Sequence, residues 1–179
     1  MTLIPMVHRL IFPLTLAGAC LAAAPVKAEN YESWGVGYGI AYAYLGANID
    51  YRLAPNVYLT GAVGTGINEF TLAAGGRYYV WPSLFETARA RVSVVYGPYG
   101  SVSHTPPAQP QRSEEFAGFA VGVGMLLFSD NEGFDFDIYY TNTRPAKQRL
   151  DRYNAAGEAV SRAGLDPVNV SIGYRRRFQ

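Results

Sequence analysis

The 179-residue sequence predicts an all-β protein, an eight-stranded antiparallel up-and-down transmembrane β-barrel. Residues 34–44 read WGVGYGIAYAY, in which large apolar side chains alternate with Gly and Ala at the period of two that a β-strand has. The alternation returns in seven later segments, with charged residues on the face opposite the apolar one. No apolar run after residue 28 has the roughly 20 residues that a membrane helix needs, whereas a barrel strand needs only about 9 to 11.

The first 28 residues have the three parts of a secretory signal peptide. Arg9 is basic, residues 10–24 are apolar, and residues 26–28 read Val-Lys-Ala, a small-residue cleavage site. We therefore expect residues 1–28 to be a signal peptide and residues 29–179 to form one outer-membrane barrel domain.

Cys20 is the one cysteine of the sequence. Cleavage after Ala28 removes it and leaves no disulfide and no thiolate ligand. An alternative makes Cys20 a lipidation site, because Ala17, Gly18 and Ala19 precede it. The usual Leu three positions before such a cysteine is Ala17 here, which favours cleavage after Ala28.

Turn signals divide the remaining chain into eight alternating segments, the number of strands in the smallest common membrane barrels. The connections at 54–56, 82–87 and 129–133 are short, whereas those at 98–114 and 142–167 are long. The predicted strands are 34–44, 47–53, 57–65, 69–80, 88–97, 115–127, 133–141 and 168–178.

Acidic and basic side chains lie together on the predicted inner face. The interior of an eight-stranded barrel is just wide enough to be filled by side chains, so we predict a buried ion-pair network and not an open pore. Asp135 and Asp137 alternate on one strand, which would suit general acid and base chemistry, but the arginines on the same face favour ion pairing. The predicted network consists of Asp50, Arg52, Glu69, Arg77, Arg89, Arg91, Asp135, Asp137, Arg175 and Arg177.

Two predicted strands, 34–44 and 115–127, place mainly Gly and Ala inward. We expect these small residues to make space for the long arginines of other strands. Gly35, Gly37 and Gly39 do not predict a phosphate-binding loop, because such a loop turns into a helix, whereas these glycines alternate within a strand.

Alternation alone does not separate a membrane barrel from a soluble barrel with an apolar inside. Short and long connections at opposite ends favour the membrane barrel, and a soluble barrel would expose the Gly and Ala face to water. Aromatic residues near the strand ends favour it too. The predicted girdles consist of Trp34, Trp81 and Phe178 at the periplasmic rim and Tyr44, Tyr96 and Tyr140 at the outer rim.

On these features the chain resembles the small eight-stranded outer-membrane proteins, the class that includes the OmpA barrel domain, OmpX and the opacity-type adhesins. The resemblance covers nearly all of residues 29–179 and includes the closing strand VNVSIGYRRRF. It implies the outer membrane of a Gram-negative bacterium, contact with outer-membrane lipids and lipopolysaccharide, and recognition of the last strand by the outer-membrane assembly machinery. That strand usually ends in an aromatic residue, whereas here Phe178 is followed by Gln179, and Arg176 takes a lipid-side position.

His104 is the one histidine after the signal segment. Some barrels of this size modify lipid A with a His, a Ser and an acid at the outer rim, and Ser103 and Glu115 are the matching candidates here. The serines precede His104, unlike a deacylase-type His-x-Ser, and the following PPAQPQ is a poor scaffold for a preorganised site. We predict no catalytic residues, with His104, Ser103 and Glu115 as the candidates of the alternative.

The second long segment is rich in basic residues, and residues 146–163 are predicted to form a helix that stops at Gly164. Its charges suit contact with lipopolysaccharide phosphates or a partner protein; they also suit a merely solvated loop. The basic residues are Arg144, Lys147, Arg149 and Arg152.

A net charge of +1 and scattered basic residues argue against a nucleic-acid partner, and no motif indicates a metal or a cofactor. We expect a non-enzymatic membrane barrel with a structural, adhesive or surface-interaction role in its two long segments. The alternatives are a lipid A modifying enzyme, an accessory subunit of a membrane complex, a soluble periplasmic barrel for an apolar ligand, and a narrow pore.

Overall fold

The computed structural model describes residues 31–66, 69–80, 88–107, 109–129 and 131–178. Eight antiparallel strands form a barrel in up-and-down order, as the alternation predicts, and the pairing of β4 with β5 closes it. The predicted signal peptide, Cys20 and Trp81 lie outside the described residues. No helix in the described ranges combines the length and the apolar character needed to cross a membrane.

The strands differ from the predicted ones mainly at one end of the barrel, opposite the end that holds Tyr31 and Phe178. We call the end opposite Tyr31 and Phe178 the loop end. The strands are β1 (Tyr31–Gly39), β2 (Tyr44–Ala54), β3 (Val57–Thr65), β4 (Phe70–Tyr79), β5 (Ala88–Thr105), β6 (Arg112–Ser129), β7 (Glu132–Thr141), β8 (Ala159–Ala163) and β9 (Val168–Arg177). A 3₁₀ turn (Ile40–Tyr42) follows β1, and helix α1 (Arg144–Ala155) precedes β8.

Exposed apolar and buried residues alternate along the barrel wall. On β7, Phe134, Phe136 and Ile138 are exposed, whereas Asp135 and Asp137 are buried. Every barrel strand contributes exposed apolar side chains to one continuous outer surface, which we call the apolar band. Its members include Val36, Ile49, Leu59, Leu72, Val94, Val123, Ile138 and Ile172.

The prediction that β1 continues to residue 44 is wrong. The chain leaves the wall after Gly39, and residues 40–43, the inward turn, are all buried. Gly39 (φ 109°), Ala43 (φ 53°) and Tyr44 (φ 73°) have positive φ, so the chain reverses direction here within a few residues. Ile40 and Tyr42 therefore fill the lumen instead of facing outward.

Side chains of the surrounding strands hold the backbone of the inward turn. Asn48 Nδ2 donates to the Ala41 oxygen at 3.0 Å, and Thr71 Oγ1 donates to the Ala43 oxygen at 2.6 Å. The Ala41 amide donates to Ser171 Oγ at 3.3 Å. These bonds satisfy polar groups that burial would otherwise leave costly.

The small inner residues do make space, but tyrosines take much of it. A Cβ added to Gly37 would lie 2.9 Å from Tyr42 Cε2, and Gly173 also faces the Tyr42 ring. Gly35 does border an arginine, Arg175, as expected. On β6, Gly118 and Gly122 border Tyr99 and Tyr139.

The segment 98–114, predicted to be a long loop, is largely a continuation of β5 and β6. A bulge between Pro98 and Gly100 inserts Tyr99, whose ring lies 6.3 Å from that of Phe116. β5 pairs with β4 as far as Tyr96, and from Ser101 onward β8 is its neighbour. The chain thus extends the wall at the loop end as a three-stranded sheet, β6–β5–β8.

The helix predicted at 146–163 is shorter than expected. α1 begins at Arg144, with Pro145 in its first turn, and ends at Ala155. Residues 159–163 form β8 instead, because they pair with Ser101–Thr105 of β5. Gly157 (φ 72°) lies in the turn between α1 and β8.

Side chains fill the lumen at three levels. Tyr58, Tyr79 and Leu126 pack together near the end of the barrel that holds Tyr31 and Phe178, which we call the chain-terminal end. A layer of buried charged side chains lies between this cluster and the loop end. At the loop end the inward turn packs with Tyr99, Tyr139, Val102, Ala146 and Leu165.

Candidate functional site

Six buried charged side chains form one alternating chain across the lumen. The order is Arg77, Asp50, Arg175, Asp135, Arg91, Asp137, with three positive and three negative groups from β2, β4, β5, β7 and β9. Each acid contacts at least one guanidinium, and all six side chains are at most 1% exposed. We call this the lumen network.

The bonds of the lumen network are short and partly bidentate. Arg77 Nη1 donates to both Asp50 oxygens at 2.8 Å, and Arg175 Nη1 donates to Asp50 Oδ2 at 2.7 Å. Arg175 Nε donates to Asp135 Oδ2 at 2.8 Å. Arg91 donates to Asp137 at 2.8 and 2.5 Å and to Asp135 at 3.0 Å. Such charge-assisted bonds fix the geometry of the charges.

Neutral polar residues also join the lumen network, and the predicted network does not include them. Tyr42 Oη donates to Asp135 Oδ1 at 2.5 Å, and Arg91 Nη1 donates to Tyr79 Oη at 3.2 Å. Arg175 also donates to Ser33 Oγ at 2.6 Å and to Asn48 Oδ1. Ser33 and Asn48 lie two residues from Gly35 and Asp50, on the same inward face of their strands. This position in the alternation is the signal in the sequence that indicates them.

Four of the ten residues predicted for the network are less deeply buried than the six described above. Arg52 and Glu69 are exposed, because Arg52 lies at the end of β2 beside a bulge and Glu69 precedes β4. Arg89 and Arg177 are half-buried near the chain-terminal end. Inward parity alone did not tell how deep in the barrel a side chain lies.

Four of the six side chains predicted for the aromatic girdle are exposed. Trp34, Tyr96, Tyr140 and Phe178 are exposed on the outer face, whereas Trp81 lies outside the described residues. Tyr44 is a correction: its hydroxyl is buried and its side chain only half-exposed, because the inward turn precedes it.

The three catalytic candidates do not converge. Ser103 and His104 are consecutive in β5 and point to opposite faces. Ser103 Oγ lies 2.7 Å from Ser113 Oγ, and Glu115 packs against Gly66. These contacts do not assemble a Ser-His-acid relay from the named residues.

His104 instead helps to attach α1 to the extended sheet. Its Nδ1 lies 2.6 Å from Glu158 Oε2, and its ring stacks on Tyr153 at 3.9 Å with an angle of 6°. Tyr153 Oη donates to Glu114 Oε1 at 2.7 Å. Burial, and then the hydrogen bond to Glu114, raise the pKa of Tyr153, so its hydroxyl remains a donor. We call His104, Glu114, Tyr153 and Glu158 the α1 clamp.

Replacing Tyr153 by Ala is expected to release α1 while leaving the barrel folded. The variant loses a ring stack and a hydrogen bond, together about 2 kcal/mol of local stability. Trypsin cleavage within α1 should then be about 30-fold faster. Gln148→Ala, on the exposed side of α1, is the matched control and should keep the native rate; equal rates for both variants would contradict the role of the α1 clamp.

The four basic residues predicted in the second long segment all lie on α1 and are exposed. Arg149 Nε lies 3.5 Å from Glu114 Oε2. Arg144, Lys147 and Arg152 lie on the exposed side of the helix. We call these three residues the basic face.

A groove of about 290 Å³ lies at the loop end, and none of the described residues that line it is charged. Its walls are formed by Tyr38, Tyr44, Leu45, Thr65, Gly66, Ser101, Ala163 and Gly164. No group of three or more His, Cys, Asp or Glu side chains in the described ranges is arranged to hold a metal ion.

Comparison of the chain with protein-family models, with curated proteins and with solved structures finds no match.

Proposed function

We propose that this protein is a non-enzymatic integral barrel of a Gram-negative outer membrane, with a structural or surface-interaction role carried by its loop end. The observation that carries the proposal is the distribution of polarity: the outer wall is apolar on all eight strands, and the charges are paired inside. Hydrocarbon is the solvent that suits such a wall.

A soluble barrel would carry a large penalty for the same surface. The apolar band includes Phe119 at 70% and Leu45 at 64% exposure, among many others. Contiguous apolar patches on soluble monomers rarely exceed a few hundred Å². A ligand-binding soluble barrel also needs an interior that receives a ligand, whereas three layers of side chains occupy this lumen.

The loop end supports surface interaction over transport or catalysis. The inward turn and the packing of Ala146 and Leu165 close the lumen there, and His104 lies on the face of the β5–β6 pair opposite Ser103 and Glu115. Above this closure, the β6–β5–β8 sheet and α1 form a structured surface held by the α1 clamp. A partner or lipid would meet this surface first.

The sharpest test is an arginine placed in the middle of the apolar band. Val123 is 61% exposed and lies between Val92 and Ile138 on the neighbouring strands. In a bilayer, Val123→Arg should destabilise the folded protein by about 2 to 4 kcal/mol. The free energy of unfolding is measured by urea titration of the barrel in lipid vesicles.

Leu53→Arg is the matched control, because Leu53 is also exposed but lies at the end of β2. Near the membrane interface it should cost about 0 to 1 kcal/mol. In a soluble barrel both substitutions would be close to neutral. Extraction without detergent, and no change of gel mobility on boiling, would also contradict the proposal.

A further inference from the structure

We propose that the basic face of α1 (Arg144, Lys147 and Arg152) binds the phosphate groups of lipopolysaccharide in the surrounding outer leaflet. This inference rests on the proposed function and names its partner. The ligand of the basic face is a phosphorylated glycolipid and not an acidic protein.

The orientation of α1 is fixed by the residues on its other side. Ala146 is fully buried against the lumen core, and Leu150 and Tyr153 pack against the same core. The stack of Tyr153 on His104 prevents rotation about the helix axis. Arg144, Lys147 and Arg152 must therefore point away from the protein.

The basic face begins next to the apolar band. Tyr140 of β7 and Val168 of β9 pair with each other, and both are exposed members of the band. The Thr141 amide donates to the Pro167 oxygen at 2.8 Å and so joins the two ends of the segment that contains α1 and β8. Arg144 follows three residues after Thr141, within about 11 Å along the chain. Lipid phosphates lie at this level, just beyond the hydrocarbon edge.

The acids around α1 do not neutralise the basic face. Glu114 is engaged by Tyr153 and Arg149, and Glu158 by His104. Asp151, the one acid within α1, is exposed one turn after Lys147, so the three residues of the basic face keep an excess of positive charge. Clusters of basic residues beside a membrane attract anionic lipids by about 1 kcal/mol per residue, and guanidinium groups match phosphate oxygens in a bidentate manner.

The experiment measures binding of fluorescently labelled lipopolysaccharide to the detergent-solubilised native barrel by anisotropy at low salt. The variant Arg144→Gln/Lys147→Gln/Arg152→Gln should bind about 100-fold more weakly. Dephosphorylated lipopolysaccharide should bind the native protein as weakly as the intact glycolipid binds the variant. Raising the salt concentration to 0.5 M should reduce the difference between the two proteins.

The matched control removes the same net charge away from α1, as Arg52→Glu/Arg176→Gln, because these two arginines are exposed at the end of the barrel opposite the loop end. It should bind within about twofold of native, because the loss of net charge is the same. Equal binding by the α1 variant, by the control and by native protein overturns the inference, as does native binding that ignores dephosphorylation. A native protein without heat-modifiable mobility overturns the proposed function instead, so the two failures are distinguishable.

Discussion

Replacing Asp135 by Ala is expected to destabilise the folded barrel by about 3 to 5 kcal/mol. Asp135 accepts hydrogen bonds from Arg91, Arg175 and Tyr42 at 3.0, 2.8 and 2.5 Å. Its removal leaves three buried guanidinium groups against two carboxylates. The desolvation cost of the unpaired positive charge then has no compensation.

The free energy of unfolding by urea in detergent micelles measures this effect. Asp135→Asn removes the charge but keeps the size of the side chain and one acceptor oxygen. Its free energy of unfolding should therefore lie between those of the native protein and Asp135→Ala. Glu69→Gln is the matched control, since Glu69 is an exposed acid outside the lumen network. It should change stability by less than about 0.5 kcal/mol; a similarly small change for Asp135→Ala would show that the lumen network does not stabilise the barrel.

Replacing Tyr42 by Ala is expected to cost about 3 to 5 kcal/mol. The Tyr42 ring is fully buried over Gly37 and Gly173, so its loss opens a cavity that glycines cannot fill. The variant also loses the hydrogen bond to Asp135, which weakens the lumen network beneath. Both losses act on the inward turn, which closes the lumen at the loop end.

Tyr42→Phe distinguishes these two contributions. It keeps the ring and loses only the hydroxyl, so we expect a cost of about 1 to 2 kcal/mol. Tyr38→Ala is the matched control, because Tyr38 lies in the same segment but is 59% exposed on the outer wall. It should cost no more than about 1 kcal/mol; an equal loss for Tyr38→Ala and Tyr42→Ala would contradict the placement of residues 40–43 inside the barrel.

Two features of the barrel could be predicted because they repeat along the chain. Eight alternating segments gave the number of strands, and parity gave the face of most residues, including all six members of the lumen network. The ends of strands at tight turns, such as Pro55-Asn56 between β2 and β3, were also predicted closely. Every strand of the barrel wall lies between two other strands and has one buried and one exposed face. The local alternation is therefore sufficient to predict such a strand.

The inward turn could not be predicted, because its sequence Ile-Ala-Tyr-Ala alternates as well as any strand. What places it inside is a lumen left empty by glycines on other strands, Gly173 among them, more than a hundred residues away in the chain. How deep a side chain lies in the barrel also depends on residues that are distant in the chain. Arg52 and Asp50 share a face, but only Asp50 lies deep enough to meet Arg77 and Arg175.

The sequence by itself determined the class of fold, the number of barrel strands and the face of most side chains in the wall, because these follow from a period of two that each segment carries alone. Only the tertiary structure decided that residues 40–43 fill the lumen and that the second half of β5 pairs with β8 instead of β4. It also decided that His104 contacts Glu158 and Tyr153 rather than Ser103. Those arrangements depend on the volume left by distant residues and on partners far along the chain, and no local pattern contains either quantity.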